Sequence, residues 1–143
     1  MNREAIYTAL FTKLQGAYAW KDSGRILRHW ADVSPAEQPA MYMTQISEQA
    51  TTTTRQKTRW LMSVKVYVYA YGQTEAGVPP ATLINPLLDA ITEAMKPDNV
   101  VVEVQNLGGL VEYARIEGGI ETDEGFLGEQ AVAIIPINIY TAD

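Results

Sequence analysis

The side chains most capable of chemistry in this sequence form a run of carboxylates near its acidic end. The run contains Glu117, Glu121, Asp123 and Glu124. Carboxylates at this density could hold Mg²⁺ or Ca²⁺, or act as a general acid and base. Their spacing does not match an EF-hand, and a solvated hairpin loop accounts for the same residues equally well. A small metal-dependent enzyme that uses these carboxylates is therefore the weaker alternative to a structural role.

The other potentially reactive groups in the sequence point away from catalysis. The only histidine, His29, stands between Arg28 and Trp30, where a packed or interface role is favoured over catalysis. A single histidine also leaves no pair of histidine ligands for a metal. The chain has no cysteine, which excludes a thiolate nucleophile and a disulfide framework, and it contains no glycine-rich phosphate-binding motif. We expect no catalytic residue, no metal and no cofactor.

The composition is that of one globular domain. The chain has 143 residues, of which 47% are apolar and 20% are charged, and we expect a single domain over residues 1–143. No apolar run approaches the length of a membrane span, so we expect no membrane partner. The net charge of −6 disfavours a sequence-specific nucleic-acid binder, which normally shows a basic patch.

The charges are distributed unevenly along the chain. Residues 1–71 carry nine bases and five acids, whereas residues 72–143 carry two bases and twelve acids. If the two halves also separate in space, opposite poles favour head-to-tail contacts between copies, which generate rings or filaments. A scatter of solvated charges over one shared sheet is the alternative that the sequence leaves open.

Two amphipathic helices are predicted from the spacing of apolar residues. The first has its apolar stripe over residues 6–18, and Asn2 stands where an N-cap is expected. The second has a similar stripe over residues 83–95, interrupted by Pro86. Either Asn85 caps a helix that begins at the proline, or the helix begins earlier and contains it.

The remaining patterns predict a sheet. Strands are expected at residues 25–30, 40–47, 58–71, 110–121 and 130–140, with a further short strand at 100–106 left open. The elements then follow the order α-β-β-β-α-β-β. Two helices with apolar stripes need a sheet to cover, so we expect an α+β domain. The sheet is expected to be mostly antiparallel or mixed, with both helices on one face. A polar segment at about residues 48–58 is expected to form a mobile loop.

A few residues mark special backbone positions. Pro136 has no N–H for a ladder, so the last strand is expected at an edge of the sheet or bulged at this residue. Gly118 and Gly119 indicate a bulge or a bend. Ser34, followed by Glu37, predicts a capped helical turn.

The strand at 58–71 alternates between an apolar face and an aromatic one. The aromatic face carries Tyr67, Tyr69 and Tyr71. Because two helices on one face leave the other face of the sheet open, we expect these tyrosines to form an interface. The alternative is that tyrosine simply suits strands.

Several stretches, in order along the chain, are similar to one known family. They are RILRHWADVSPAEQPA at 25–40, LINPLLDAI at 83–91, LGGL at 107–110, IEGGIETDEG at 116–125 and GEQAVAIIPI at 128–137. Together they resemble the tail terminator, or tail completion, proteins of tailed phages. The general architecture resembles that of the lambda-type minor tail protein U.

This resemblance implies a structural role in a virion. Such proteins form a ring, commonly a hexamer, on the head-proximal end of a tail tube, where they stop tube polymerisation and provide a docking surface for the head. The implied partners are other copies of the chain, a tail tube protein and a head–tail connector protein, with assembly in the host cytoplasm. DNA passes through the bore of the ring, and the family offers no catalytic residues to carry over.

The charge asymmetry predicts which residues join neighbouring copies. The expected basic side consists of Arg28, Arg55, Lys57 and Arg59. The expected acidic side consists of Glu117, Glu121, Asp123 and Glu124. The remaining alternatives are a head-completion or connector protein of the phage neck, and a plain interaction module.

Overall fold

Two α-helices and six strands make up the regular structure of the described residues. The structure is a computed structural model that describes residues 1–72, 77–127 and 129–143, and the side chains of all of these except 124–127. In chain order the elements are α1 (Arg3–Gln15), β1 (Asp22–Gly24), β2 (Ala40–Thr51), β3 (Arg59–Tyr71), α2 (Ala81–Ala94), β4 (Tyr113–Ile116), β5 (Glu121–Leu127) and β6 (Gln130–Ala142). Two short 3-10 turns lie between β1 and β2.

The sheet is built around β3. This strand pairs with β2 on one side and with β6 on the other, both antiparallel. β1 joins the outer side of β2 in parallel, while β4 and β5 pair one after the other with the outer side of β6. The predicted α+β class with a mixed sheet is confirmed, and the segment predicted as one strand at 110–121 is divided into β4 and β5.

Both helices cover the same face of the sheet, as predicted. α1 begins after Asn2, whose Oδ1 accepts a hydrogen bond from the N–H of Ala5 at 3.1 Å. α2 begins at Ala81, so Pro86 lies inside the helix. The apolar sides of both helices and of four strands (β2, β3, β4 and β6) share one core, which includes Ile6, Leu10, Leu14, Met43, Val66, Ile84, Leu87, Ile91 and Ile137.

The predicted strand at 25–30 is wrong. The strand in this region is β1, which ends before Arg25 and pairs with the start of β2. An extended chain would hold Arg28 about 20 Å from Asp22, six residues away. Instead, the Arg28 guanidinium contacts the Asp22 carboxylate at 2.7 Å, because the chain folds back after β1. Residues 100–106 also contain no strand and belong to the connection between α2 and β4.

β2 is longer than predicted. Residues 48–51, expected in a loop, are paired with β3, and the turn between the strands is limited to residues 52–58. The segment shows no apolar periodicity because its side chains are exposed. Glu48 is nevertheless held in place by the Arg3 guanidinium at 2.9 Å and the Tyr7 hydroxyl at 3.1 Å.

β6 is an inner strand, so of the two alternatives predicted for Pro136 the edge position is wrong, and the outer ladder of β6 is instead interrupted beside this residue. Pro136 lies where the outer partner of β6 changes from β4 to β5. Its carbonyl accepts a hydrogen bond from the Glu117 N–H at 3.2 Å. In an antiparallel strand, the nitrogen and the carbonyl oxygen of one residue face the same neighbouring strand. The nitrogen of Pro136, which carries no hydrogen, therefore faces the bend at Gly118, where the ladder is interrupted. The capping box of Ser34 and Glu37 is present as predicted.

Replacing Gly118 by alanine should destabilise the protein. Gly118 has φ +109°, and an added Cβ would lie 3.4 Å from Cγ of Pro136. Such a backbone conformation strains an L-residue by about 1–3 kcal/mol, a loss that chemical denaturation should detect. Gly119→Ala is the matched control, because a Cβ on Gly119 meets no atom within 4 Å. Equal losses in both variants would contradict this account of the bend.

Candidate interaction surfaces

One half of the open sheet face is covered by the chain itself. Residues 30–39 fold over it, and Trp30 packs against the cluster that contains Tyr42 and Tyr69. Tyr69 is only 3% exposed, and its hydroxyl donates to the Arg28 carbonyl at 2.6 Å. Tyr69 is therefore a core residue of this covered half, and its assignment to an exposed aromatic face is corrected.

The other two tyrosines of the predicted interface differ from Tyr69. Tyr67 is half-buried against the edge of the same cluster. Tyr71 is 44% exposed, and its hydroxyl donates to the Glu129 carboxylate at 2.7 Å, a contact that raises the pKa of Tyr71. The alternation within β3 could not reveal this difference, because the covering segment comes from elsewhere in the chain.

Arg28 holds the covering segment in place. Its guanidinium contacts the carboxylates of Asp22 at 2.7 Å and Glu37 at 2.5 Å, and donates to the Asp32 carbonyl at 2.8 Å. The contact with Arg28 is the main cause that lowers the pKa of Glu37 to about 2. The hydroxyl of Tyr42 and then Arg28 lower the pKa of Asp22. Arg28 is thus engaged within its own chain.

The predicted basic side is not a single patch. Arg55 and Lys57 lie exposed in the turn at 52–58, and neither has an ion-pair partner among the described residues. Arg59, at the end of that turn, is paired with Glu112. Arg28 contacts Tyr69, ten positions along β3 from Arg59, which is about 33 Å away. We refer to residues 52–58 as the basic turn.

The predicted acidic side lies along β4 and β5, but its members are not equivalent. Glu117 is ion-paired with Arg115 and accepts a hydrogen bond from the Tyr140 hydroxyl at 2.6 Å, which is the main cause of its lowered pKa. Glu121 and Asp123 have no ion-pair partner among the described residues. The side chain of Glu124 lies outside the described residues. Within the described part of the chain, no cluster of acidic and histidine side chains is arranged to hold a metal ion.

The other half of the open face has no covering segment among the described residues. Its rings include Tyr113 and Tyr140, stacked with centroids 4.6 Å apart. Beside them is a cavity of about 300 Å³, which we call the face cavity. It is lined by Gln49, Thr51, Arg59, Trp60, Leu61, Tyr140 and Thr141. This uncovered half is the part of the open face that remains available to a partner.

A loop beside β4 displays apolar side chains that sequence reasoning missed. Val100 is 100% exposed and Val101 is 86% exposed. The Asn99 side chain accepts a hydrogen bond from the Val101 N–H at 3.0 Å, and the buried Gln105 donates to the Lys96 carbonyl at 2.7 Å. The only sequence signal for this exposed apolar loop is the run of three valines at 100–102, and such a run is equally typical of a strand. We call residues 98–104 the valine loop.

The unpaired bases of the basic turn and the unpaired acids of β5 lie on different flanks of the molecule. Arg59, next to the basic turn, is level with Ala142 of β6, whereas Asp123 is level with Val132. These two levels are ten residues, or about 33 Å, apart along β6. The acids of β5 therefore cannot reach the basic turn of their own chain, and both surfaces remain open to contact another molecule.

Comparisons with known proteins find similarity in the fold but none in the sequence. No family model and no curated protein match the sequence. The fold is similar to that of a chain in a solved structure described as the virion of a native gene transfer agent particle, with a TM-score of 0.53 and 8% sequence identity. The match covers 99% of this chain and 97% of that chain. Because only 8% of the residues are identical, the match shows a similarity of the fold alone. Among the described residues, no helix is both long and apolar enough to cross a membrane.

Stability at low pH should depend on Glu37. Its pKa is about 2 in the folded chain, against an ordinary value of 4.5, so ionised Glu37 stabilises the fold. This contribution is present above about pH 5 and is lost as the pH falls towards about 2. The free energy of unfolding should therefore decline more steeply over this range in the wild type than in Glu37→Gln.

The control for this measurement is Glu121→Gln, which removes an exposed carboxylate with no ion-pair partner among the described residues. Its decline with pH should match that of the wild type. If Glu37→Gln also matched the wild type, the role assigned to the contact between Arg28 and Glu37 would be incorrect.

Proposed function

We propose that this chain is a structural virion protein that forms a ring on the head-proximal end of a phage tail tube. In this role it ends tube polymerisation and provides the surface on which the head docks. The observation that supports the proposal most strongly is the fold similarity to a chain of a gene transfer agent virion, which covers 99% of this chain. The tail-end position and the hexameric state follow from the family resemblance of the sequence.

The distribution of paired and unpaired charges supports association between copies. Most basic side chains are satisfied within the chain: Arg3, Lys13, Arg25, Arg28, Arg59, Lys96 and Arg115 each have an ion-pair partner. Arg55 and Lys57 contrast with these, and so do Glu121 and Asp123 on the opposite flank. Charges left unpaired at two distant surfaces are suited to meet across a contact between neighbouring molecules.

The contact that these surfaces favour is heterologous. The basic turn and the acidic strand β5 are unlike surfaces, so a pair of copies that joins one to the other leaves one free surface of each kind. Such head-to-tail contacts close into a ring when the rotation between neighbours allows it. The basic side proposed for this contact is reduced to Arg55 and Lys57, because Arg28 and Arg59 are engaged within the chain. Glu117 is also engaged, so the acidic side consists of Glu121 and Asp123 together with Glu124, whose side chain lies outside the described residues.

A net negative ring is compatible with the passage of DNA. Proteins hold DNA through basic side chains that neutralise phosphates and release counterions. The chain has a net charge of −6, and the proposed contact uses two of its unpaired bases. A ring of such subunits offers few free basic side chains to bind DNA. This property suits a bore through which the genome passes.

Charge reversal on one flank should weaken association, and reversal on both flanks should restore it. Arg55→Glu/Lys57→Glu and Glu121→Lys/Asp123→Lys should each raise the concentration needed for association at least about tenfold, because like charges then face each other. The combination of all four changes should recover most of the loss. Analytical ultracentrifugation at low and high salt provides the measurement.

Lys21→Glu is the control, because Lys21 is also exposed and has no ion-pair partner among the described residues. It should associate like the wild type. Addition of the protein to polymerising tail-tube subunits then tests the role itself, since a terminator limits tube length. Tubes that grow to full length while the protein binds the head connector would instead indicate a connector protein of the neck.

A further inference from the structure

The valine loop exposes apolar surface on a well-anchored segment. Besides its bond to Lys96, the Gln105 side chain donates to Asp98 at 3.1 Å and accepts from the Leu107 N–H at 2.9 Å. Asp98 also contacts the Lys13 ammonium group at 2.8 Å. Burial of a valine side chain contributes roughly 1.5–3 kcal/mol. A fixed loop that leaves two valines in water is therefore suited to a contact that forms on assembly.

We infer that the valine loop of one copy docks in the face cavity of a second copy. This inference rests on the self-association proposed above and names the surfaces that meet. The face cavity lies on the uncovered half of the sheet, where Leu61 and Tyr140 contribute its apolar walls. Insertion of Val100 and Val101 would remove both valines from water and place them against Leu61 and Tyr140.

Charges beside the two surfaces are complementary. Glu103, in the valine loop, is exposed and has no ion-pair partner among the described residues. Thr51 and Arg59, which line the face cavity, flank the basic turn with its unpaired Arg55 and Lys57. When the valine loop enters the face cavity, Glu103 thus comes near the basic turn of the second copy. This attraction favours one orientation of docking.

The two surfaces belong to different parts of the sheet, which favours a second copy as the occupant. The valine loop is anchored beside β4, where the Ala114 N–H donates to the Gln105 carbonyl at 2.8 Å. The face cavity is formed by β2, β3 and β6. The contact is therefore heterologous, as a ring requires. An anionic membrane is disfavoured as the occupant, because Asp98 and Glu103 would meet its negative surface.

Engineered cysteines test the contact directly, because the chain has none of its own. Val101→Cys and Gln49→Cys are made in separate chains, mixed and oxidised; Gln49 is exposed and lines the face cavity. We expect a disulfide-linked dimer that contains one chain of each kind. Ile26→Cys is the matched control, since Ile26 is also apolar and 82% exposed, and it should give no such dimer with Gln49→Cys.

A second measurement uses substitutions that remove apolar surface. Val100→Ser/Val101→Ser should raise the concentration needed for association at least about tenfold, whereas Ile26→Ser should leave it unchanged. If the wild type associates and caps tubes, but the mixed dimer does not form and the double variant associates normally, the inference is overturned while the proposed function stands.

Two other outcomes would lead to different conclusions. If the double variant associates normally but no longer limits tube length, the valine loop contacts the tube and its docking on a second copy is refuted. If the wild type stays monomeric at every concentration and on tube ends, the proposed function itself fails, and the inference fails with it.

Discussion

The antiparallel pairing of β3 with β6 is the interaction on which the rest of the structure depends. Every residue from Arg59 to Tyr71 lies opposite a residue of β6, and alternate pairs face the helices and the open side. The two strands come from the basic and the acidic parts of the sequence, so the two parts interleave in one sheet. The helices cover one face of this pair and residues 30–39 cover half of the other. The uncovered half, with the face cavity, is left to a partner.

Elements whose signal is local could be predicted from the sequence. The apolar spacing of α1 and α2, the cap at Asn2 and the alternation in β3 each depend on neighbouring residues. The fold class followed, because two amphipathic helices require a sheet. The strand predicted at 25–30 was wrong, and so was the edge position, one of the two alternatives predicted for Pro136, because both depend on residues distant in the sequence. The first depends on the ion pairs of Arg28, and the second depends on a change of strand partner at the Gly118 bend.

The candidate surfaces could be predicted only in part, for the same reason. Charge counts identified the basic and acidic segments, but a count cannot show which charges are already paired. Arg28 stabilises the covering segment and Glu117 pairs with Arg115, which leaves the basic turn and β5 for contacts with other molecules. The valine loop was missed because three consecutive valines are as typical of a buried strand as of an exposed loop; only the anchoring by Gln105 distinguishes the two.

In the proposed function, two unlike flanks of one subunit join copies head to tail into a closed ring. Electron microscopy of the purified protein with tail tubes, followed by averaging of the end-on particles, tests this claim most directly. We expect one closed ring with cyclic symmetry at a single end of each tube, with the basic turn of every subunit against the acidic flank of the next. A two-fold dimer joined through identical surfaces, or isolated subunits on the tube end, would contradict it.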